Sequence, residues 1–212
     1  MVKQIPRIYV LAGTNGAGKS SIGGAMLIER GVEYFNPDAA AALIANANPG
    51  IALEDVQSAA WYEGRRLLER AIAERLDFAF ETTLGGNTIT ALLEGAIASG
   101  IEVRIWYVGL DSVERHIARV RARVETGGHD IPEERIRERY ARSLLNLIRL
   151  MPKLTELRVY DNSKEADPRT ATPSPRLLVH LDRGKLASVG ELAATPDWAK
   201  SVVLTALKIS AG

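Results

Sequence analysis

Short, nearly continuous apolar runs alternate along this chain with longer stretches in which apolar residues recur every three or four positions. The first kind predicts strands at 7–12, 33–36, 77–82, 102–109 and 157–161. The second predicts helices at 18–30, 38–46, 53–75, 87–99, 112–126 and 132–150. The run "VRIWYVGL" is apolar on both faces of a strand, so it needs cover on both sides. A strand–helix rhythm of this kind predicts an α/β fold with a mainly parallel sheet flanked by helices. "ADPRTATPSP" (166–175) reads as a linker by composition. Beyond it, "RLLVHL", "DRG" and "KLASV" predict a β-hairpin, followed by a last helix from about Pro196 to Ile209. The expected division is a core over 1–165, with 166–212 as linker, hairpin and helix packed on that core. Internal repeats and heptad runs are absent from the sequence.

Composition narrows the function classes. Hydrophobic residues make up 46% of 212 positions, enough for the core of one α/β domain. No apolar run approaches the roughly 18 residues that span a bilayer. "MVKQIPRIYV" runs straight into the first strand, which leaves no room for a signal peptide. With no cysteine, disulfides and thiolate metal sites are excluded, and a cytoplasmic location is expected. Three scattered histidines make no zinc constellation. The net charge of +1 supplies no global field for nucleic acid or a membrane. Arginines nevertheless crowd between Arg115 and Arg149.

The strongest chemical signal is "YVLAGTNGAGKSS". Gly13, Gly18, Lys19 and Ser20 fit the phosphate-loop pattern G-x-x-x-x-G-K-[ST], with a strand before it and a helical pattern after it. Glycines allow a tight turn whose N–H groups face phosphate oxygens. The helix N-terminus and Lys19 add positive charge, and the Ser20 hydroxyl suits Mg²⁺. Gly13, Thr14, Asn15, Gly16, Ala17, Gly18, Lys19, Ser20 and Ser21 are thus the candidate nucleotide-binding residues, with ATP or GTP and Mg²⁺ as cofactors. Phosphate loops serve kinases, switches and motors alike, so the loop alone does not name the reaction.

Ligands of doubly wound sheets sit at the carboxyl ends of strands. There the sequence offers Asp38 in "FNPDAAA", Glu81, Thr82 and Thr83 in "FAFETTLGG", and Asp111. Asp38 is either a base for an acceptor hydroxyl or the cap of an Ala-rich helix. Glu81 is either an acceptor-side carboxylate or a structural one bonded to Thr83 or the next helix. Asp111 reads as the cap of the helix that begins at Ser112. Arg115, Arg119 and Arg123 form one helical stripe. Beyond "TGGHDIP", Arg135, Arg139 and Arg142 form another, and the two helices suggest a lid over phosphates. The alternative is a solvated face paired with Glu125, Glu133, Glu134 and Glu138. His129, in the turn, is a candidate substrate contact; His116 and His180 read as surface or satisfied structural histidines.

Together "AGTNGAGKSS", "FNPD", "FETT", the Arg119/Arg123 helix, "GGHDIPEERIRERYARSLLNL" and "VYDNS" resemble the zeta-toxin family of P-loop kinases, and more closely its chromosomal zeta-toxin-like branch. The resemblance spans about residues 7–163. It implies a nucleotide-kinase-like fold and transfer of the ATP γ-phosphate to a sugar hydroxyl of a UDP-N-acetylsugar, with an antitoxin as possible partner. By motif it puts Lys19 and Ser20 on ATP and Mg²⁺, and Asp38 on the acceptor hydroxyl. Glu81 and Thr82 fall on the acceptor side, and Arg119, Arg123, Arg139 and Arg142 on the transferred phosphate. The sequence departs from the family where an arginine is expected just before the lid proline: Gly128, His129 and Asp130 stand there, so either that role moves to Arg137, Arg139 or Arg142 or the acceptor differs from the family's. Other acceptors (a nucleoside, an antibiotic, a nucleic-acid end) and a non-kinase NTP switch are the rival readings. Aromatics at 6% argue against a polynucleotide groove. The lack of an apolar run ending in Asp-Glu argues against a self-contained ATPase.

Overall fold

The computed structural model describes residues 5–20, 34–128, 130–164 and 175–212. Among these residues seven strands form one sheet: β1 (Arg7–Ala12), β2 (Tyr34–Phe35), β3 (Phe78–Thr82), β4 (Glu102–Gly109), β5 (Glu156–Asp161), β6 (Arg176–Asp182) and β7 (Lys185–Val189). Their order is β2-β3-β1-β4-β5-β6-β7, with the first five parallel and β6 and β7 antiparallel. The described helices are α1 (Pro37–Ala47), α2 (Leu53–Glu74), α3 (Asn87–Ala98), α4 (Val113–Glu125), α5 (Glu133–Leu150) and α6 (Lys200–Ala211). The α/β fold expected from the alternation is present. The helical segment expected after the phosphate loop shows Lys19 and Ser20 already helical; its remainder, like most of the 166–175 linker, lies outside the described residues.

The central strands are largely apolar, and their residues are buried on both sheet faces. On one face Ile8, Val10, Phe78, Phe80, Val103 and Ile105 pack with Leu68 of α2, Leu93 of α3, and Leu147 and Leu150 of α5. On the other, Tyr9, Leu11, Ala79, Trp106 and Val108 cluster with Ala17 of the loop. Leu11 is level with Glu81 on one side and Trp106 on the other, so the carboxyl ends of β1, β3 and β4 open on one edge.

Two helix pairs carry small cores of their own above that edge. Ala41, Val56 and Ala60 join α1 to α2, and Ile117, Val120 and Ile136 join α4 to α5. The second half of α5 belongs to the main core instead. Leu147 and Leu150 are buried, Asn146 Nδ2 donates to the Leu84 carbonyl at 2.8 Å, and Ser143 Oγ donates to the Thr83 carbonyl at 2.6 Å. Within α5, therefore, the first half packs with α4 beside the site while the second half is anchored in the main core.

The expected hairpin forms, with Arg183 (φ 47°) and Gly184 (φ 74°) as the left-handed pair of its two-residue turn. Its first strand extends the sheet beside β5. The last helix follows a short 3₁₀ turn, Asp197–Ala199, whose Trp198 ring packs against Gly109. A side-chain carbon at 109 would stand 2.4 Å from that ring, so glycine sets the contact.

Candidate active site

The phosphate loop leaves β1 at Gly13, whose φ of 142° and lack of a side chain are both required. A Cβ there would lie 2.1 Å from the Val108 carbonyl oxygen. Gly13 N–H donates to Thr82 O at 3.2 Å and Ala17 N–H to Thr14 O at 3.1 Å, tying the loop to β3 and to itself. Thr14 and Ala17 are buried, and Gly16 and Gly18 turn the chain at φ 81° and 84°. Lys19 follows, in a cleft of about 330 Å³. Burial there pulls its ammonium below the ordinary lysine pKa. Glu81 and Asp38 oppose that shift, while Arg123 and Arg139 add to it. Lys19 thus stands within electrostatic reach of two carboxylates and two guanidinium groups that come from four other elements.

Asp38 does not cap α1. Asn36 does, its Oδ1 accepting the N–H groups of Asp38 at 2.9 Å and Ala39 at 3.1 Å, while Pro37 occupies the first helical position, where no N–H is needed. The Asp38 carboxylate lines the cleft, 59% exposed, and accepts from Arg123 Nη1 at 3.1 Å. Glu81 is 7% exposed, and its partner is neither Thr83 nor the next helix but the Tyr34 hydroxyl of β2 at 2.5 Å. Burial and that carboxylate push the Tyr34 phenol well above its ordinary value, so it stays a donor. Thr82 and Thr83 also line the cleft, their hydroxyls accepting from the N–H groups of Leu84 (3.0 Å) and Gly85 (3.4 Å). Ser20 Oγ lies 3.4 Å from Asn36 Nδ2, so the loop and the start of α1 meet.

The cap of α4 is Ser112, accepting from Arg115 N–H at 3.2 Å, and not Asp111. Asp111 grips Arg115 Nε at 2.7 Å instead. The arginines divide between the two expected fates. Arg119 donates to the Asn162 carbonyl at 2.9 Å, Arg123 to Asp38, and Arg139 Nη1 to Asn15 Oδ1 of the loop at 3.0 Å. Gly85 lets Arg139 approach, since a Cβ there would be 2.9 Å from Arg139 Cγ. Burial lowers the Arg139 pKa, with Arg135 adding and Glu138 and Asp38 opposing. Arg142 lines the cleft but pairs with Glu138 at 2.7 Å. Arg135 reaches Glu54 at 3.5 Å. Arg137 is held outside the cleft by Glu133 (2.7 Å) and Glu114 (2.9 Å), as the solvated-face alternative expects. Ser21 and His129 lie outside the described residues.

Several site neighbours were not singled out from sequence. Trp61 and Gln57 of α2 line the cleft with Phe35, whose ring rests on Gly64, and an exposed tryptophan in "WYEGRR" was the available signal. His116 is 1% exposed, its Nδ1 2.7 Å from the Asn15 carbonyl and its ring 5.4 Å from that of Tyr140. It is a satisfied structural histidine, as expected; His180, half-buried, faces Glu156 at 3.7 Å. Burial pulls His116 down to about 4; the Asn15 carbonyl opposes, Lys19 and Arg119 add, and Asp111 opposes. Between the ordinary value of 6.5 and 4 the unfolded chain therefore binds the extra proton, so stability falls as pH falls through that window. The expected loss is about 3 kcal/mol, read as the difference between wild type and His116→Asn in urea unfolding at pH 7 and pH 4. A difference that does not change with pH would mean that the imidazole already protonates freely in the fold. Among the described residues, no group of three or more His, Asp or Glu side chains is placed to hold a metal ion, and no helix is long and apolar enough to cross a membrane.

The family model described as Zeta toxin matches residues 2–167. The chain belongs to the zeta-toxin family. An uncharacterised protein from Haemophilus influenzae is 33% identical over 133 residues, covering 60% of this chain and 88% of that protein. Among solved structures, the AvrRxo1-ORF1:-ORF2 complex with ATP aligns at a TM-score of 0.65 and 15% identity, over 97% of this chain and 77% of that one. The PezAT chromosomal toxin–antitoxin system of Streptococcus pneumoniae aligns at 0.53 and 13%, over 76% and 69%. At these identities the likeness is one of fold. Family and fold together make the zeta-toxin-like chain a P-loop kinase.

Proposed function

We propose that this protein transfers the γ-phosphoryl group of ATP to a hydroxyl of a small molecule, with a UDP-N-acetylsugar as the acceptor that its family suggests. The observation that carries the reading is the convergence of Asp38, Glu81, Arg139 and, through its bond to Asp38, Arg123 around Lys19 beside a glycine-rich loop. The loop fits a polyphosphate: a turn too tight for side chains, a lysine at its end, and a half-buried arginine bonded to its tip. Residues 13–20 would hold the nucleotide phosphates and Ser20 the Mg²⁺, which supplies charge neutralisation on phosphate oxygens.

Within this reading Asp38 accepts the proton of the attacking hydroxyl as that oxygen bonds the γ-phosphorus and ADP departs. Arg123 and Arg139 supply positive charge to the migrating group. Glu81, fixed by Tyr34, orients the acceptor. Phe35 and Trp61 give the acceptor an apolar wall that excludes water. The partnered complexes among the structural relatives support a protein antitoxin as a binding partner.

Incubation with ATP, Mg²⁺ and a panel of UDP-N-acetylsugars, nucleosides and aminoglycosides, read by mass spectrometry, tests the proposal. The expected result is one added phosphate on a nucleotide sugar. ATP turnover that ignores every added acceptor would favour the NTP-switch reading instead.

A further inference from the structure

We propose that His116 and Asn162 are positioning residues of the phosphate loop, each fixing one loop peptide so that its N–H faces the bound phosphates. The inference rests on reading residues 13–20 as a phosphate cradle. In a trans peptide the carbonyl and the following N–H lie in one plane and point in opposite directions, and no described peptide is cis. His116 Nδ1 holds the Asn15 carbonyl at 2.7 Å, so the Gly16 N–H, in the same peptide, points away from His116. Asn162 Nδ2 holds the Ala17 carbonyl at 2.9 Å, so the Gly18 N–H points away from Asn162.

Among the described residues, no backbone N–H of the loop reaches the Asn15 or Ala17 carbonyl. Gly13 N–H and the Thr14 carbonyl are already used, by Thr82 and Ala17. Glycine at 16 and 18 leaves the adjoining peptides soft to rotation. A rotated peptide would turn a carbonyl oxygen, not an N–H, toward phosphate. Both donors are themselves immobilised. His116 is buried in α4 against Tyr140, and a Cβ at Gly16 would lie 2.6 Å from the His116 carbonyl oxygen. Because the group it faces is a carbonyl, Nδ1 carries the proton. Asn162 is 7% exposed, with its N–H on the Gly109 carbonyl at 3.0 Å and its carbonyl on Arg119 Nη2 at 2.9 Å. His116 and Arg119 are one turn apart, so α4 governs both clamps, one directly and one through Asn162.

Asn15–Gly16 is the only Asn–Gly step in the chain, so labelling with ¹³C′-asparagine and ¹⁵N-glycine isolates the Gly16 amide signal in NMR. That signal and the ATP affinity by calorimetry are compared in wild type, His116→Asn, His116→Gln and His116→Phe. Asparagine puts an amide nitrogen where Nδ1 stood, and glutamine puts it one carbon farther out, at equal polarity. His116→Asn is expected to bind within about threefold of wild type and to keep the Gly16 shift on adding ATP. His116→Gln and His116→Phe are expected to bind about tenfold or more weakly and to lose the shift. Should His116→Phe fail to fold, the Asn and Gln pair decides alone. Wild-type affinity and an unchanged Gly16 shift in His116→Gln would overturn the inference. Lys19→Ala binding ATP as tightly as wild type would overturn the phosphate-cradle reading beneath it.

Discussion

Asp38→Asn is expected to slow turnover roughly 10²–10⁴-fold while the fold and ATP affinity persist. An amide cannot take a proton at neutral pH, yet it is almost the shape of the carboxylate it replaces. The geometry makes this substitution cleaner than the sequence implied. Asn36, not Asp38, caps α1, so no helix cap is disturbed. What Asp38 does structurally is accept from Arg123 at an exposed position, and an amide oxygen still accepts there. The stability change is therefore expected to stay below about 1 kcal/mol. Turnover with the identified acceptor, alongside thermal melts, separates the outcomes. A fully active Asp38→Asn enzyme would pass the base role to Glu81, whose Tyr34 bond would then have to break during the reaction.

Lys19→Ala is expected to abolish detectable transfer and to weaken ATP binding by about tenfold or more, without lowering the melting temperature. The first half follows from removing the charge at the end of the phosphate cradle. The second follows from the sign of its pKa shift. A lysine whose folded pKa is lowered holds its charge less comfortably in the fold than in water. Deleting it removes that cost, the usual trade between stability and function at a site. Calorimetry with a non-hydrolysable ATP analogue and a melt of the same sample give both readings. Intact affinity and intact transfer would place the site elsewhere.

Elements were legible where one periodicity dominated. β1 and β4 match their expected bounds, and the hairpin appears where "DRG" marks its turn. The errors are local ties between neighbouring polar residues. In "FNPD" the proline had already decided for Asn36, because a proline at the first helical position puts the cap one residue earlier. In "LDSVER" both Asp111 and Ser112 make good caps, and the winner was set by Asp111 pairing with Arg115. Which arginines face the cleft could not be read from spacing. Arg137 and Arg139 are two residues apart on α5, yet one pairs outward with glutamates and the other reaches Asn15. Tyr34 for Glu81 and Asn162 for Ala17 are partners across 47 and 145 residues, and nothing local announces them.

The strand order bears on how the protein behaves in concentrated solution. An open sheet ends in two rows of unpaired backbone groups, where a second molecule could add a strand. Here one boundary is β2, whose described residues are Tyr34 and Phe35 and which Pro37, opening α1, brings to an end. The other is β7, which begins with a lysine and has the Leu186 N–H taken by Ser210 of α6 at 3.0 Å. The β7 rim is thus blunted by a charge and a covering helix, so crowding should not draw copies together along that edge.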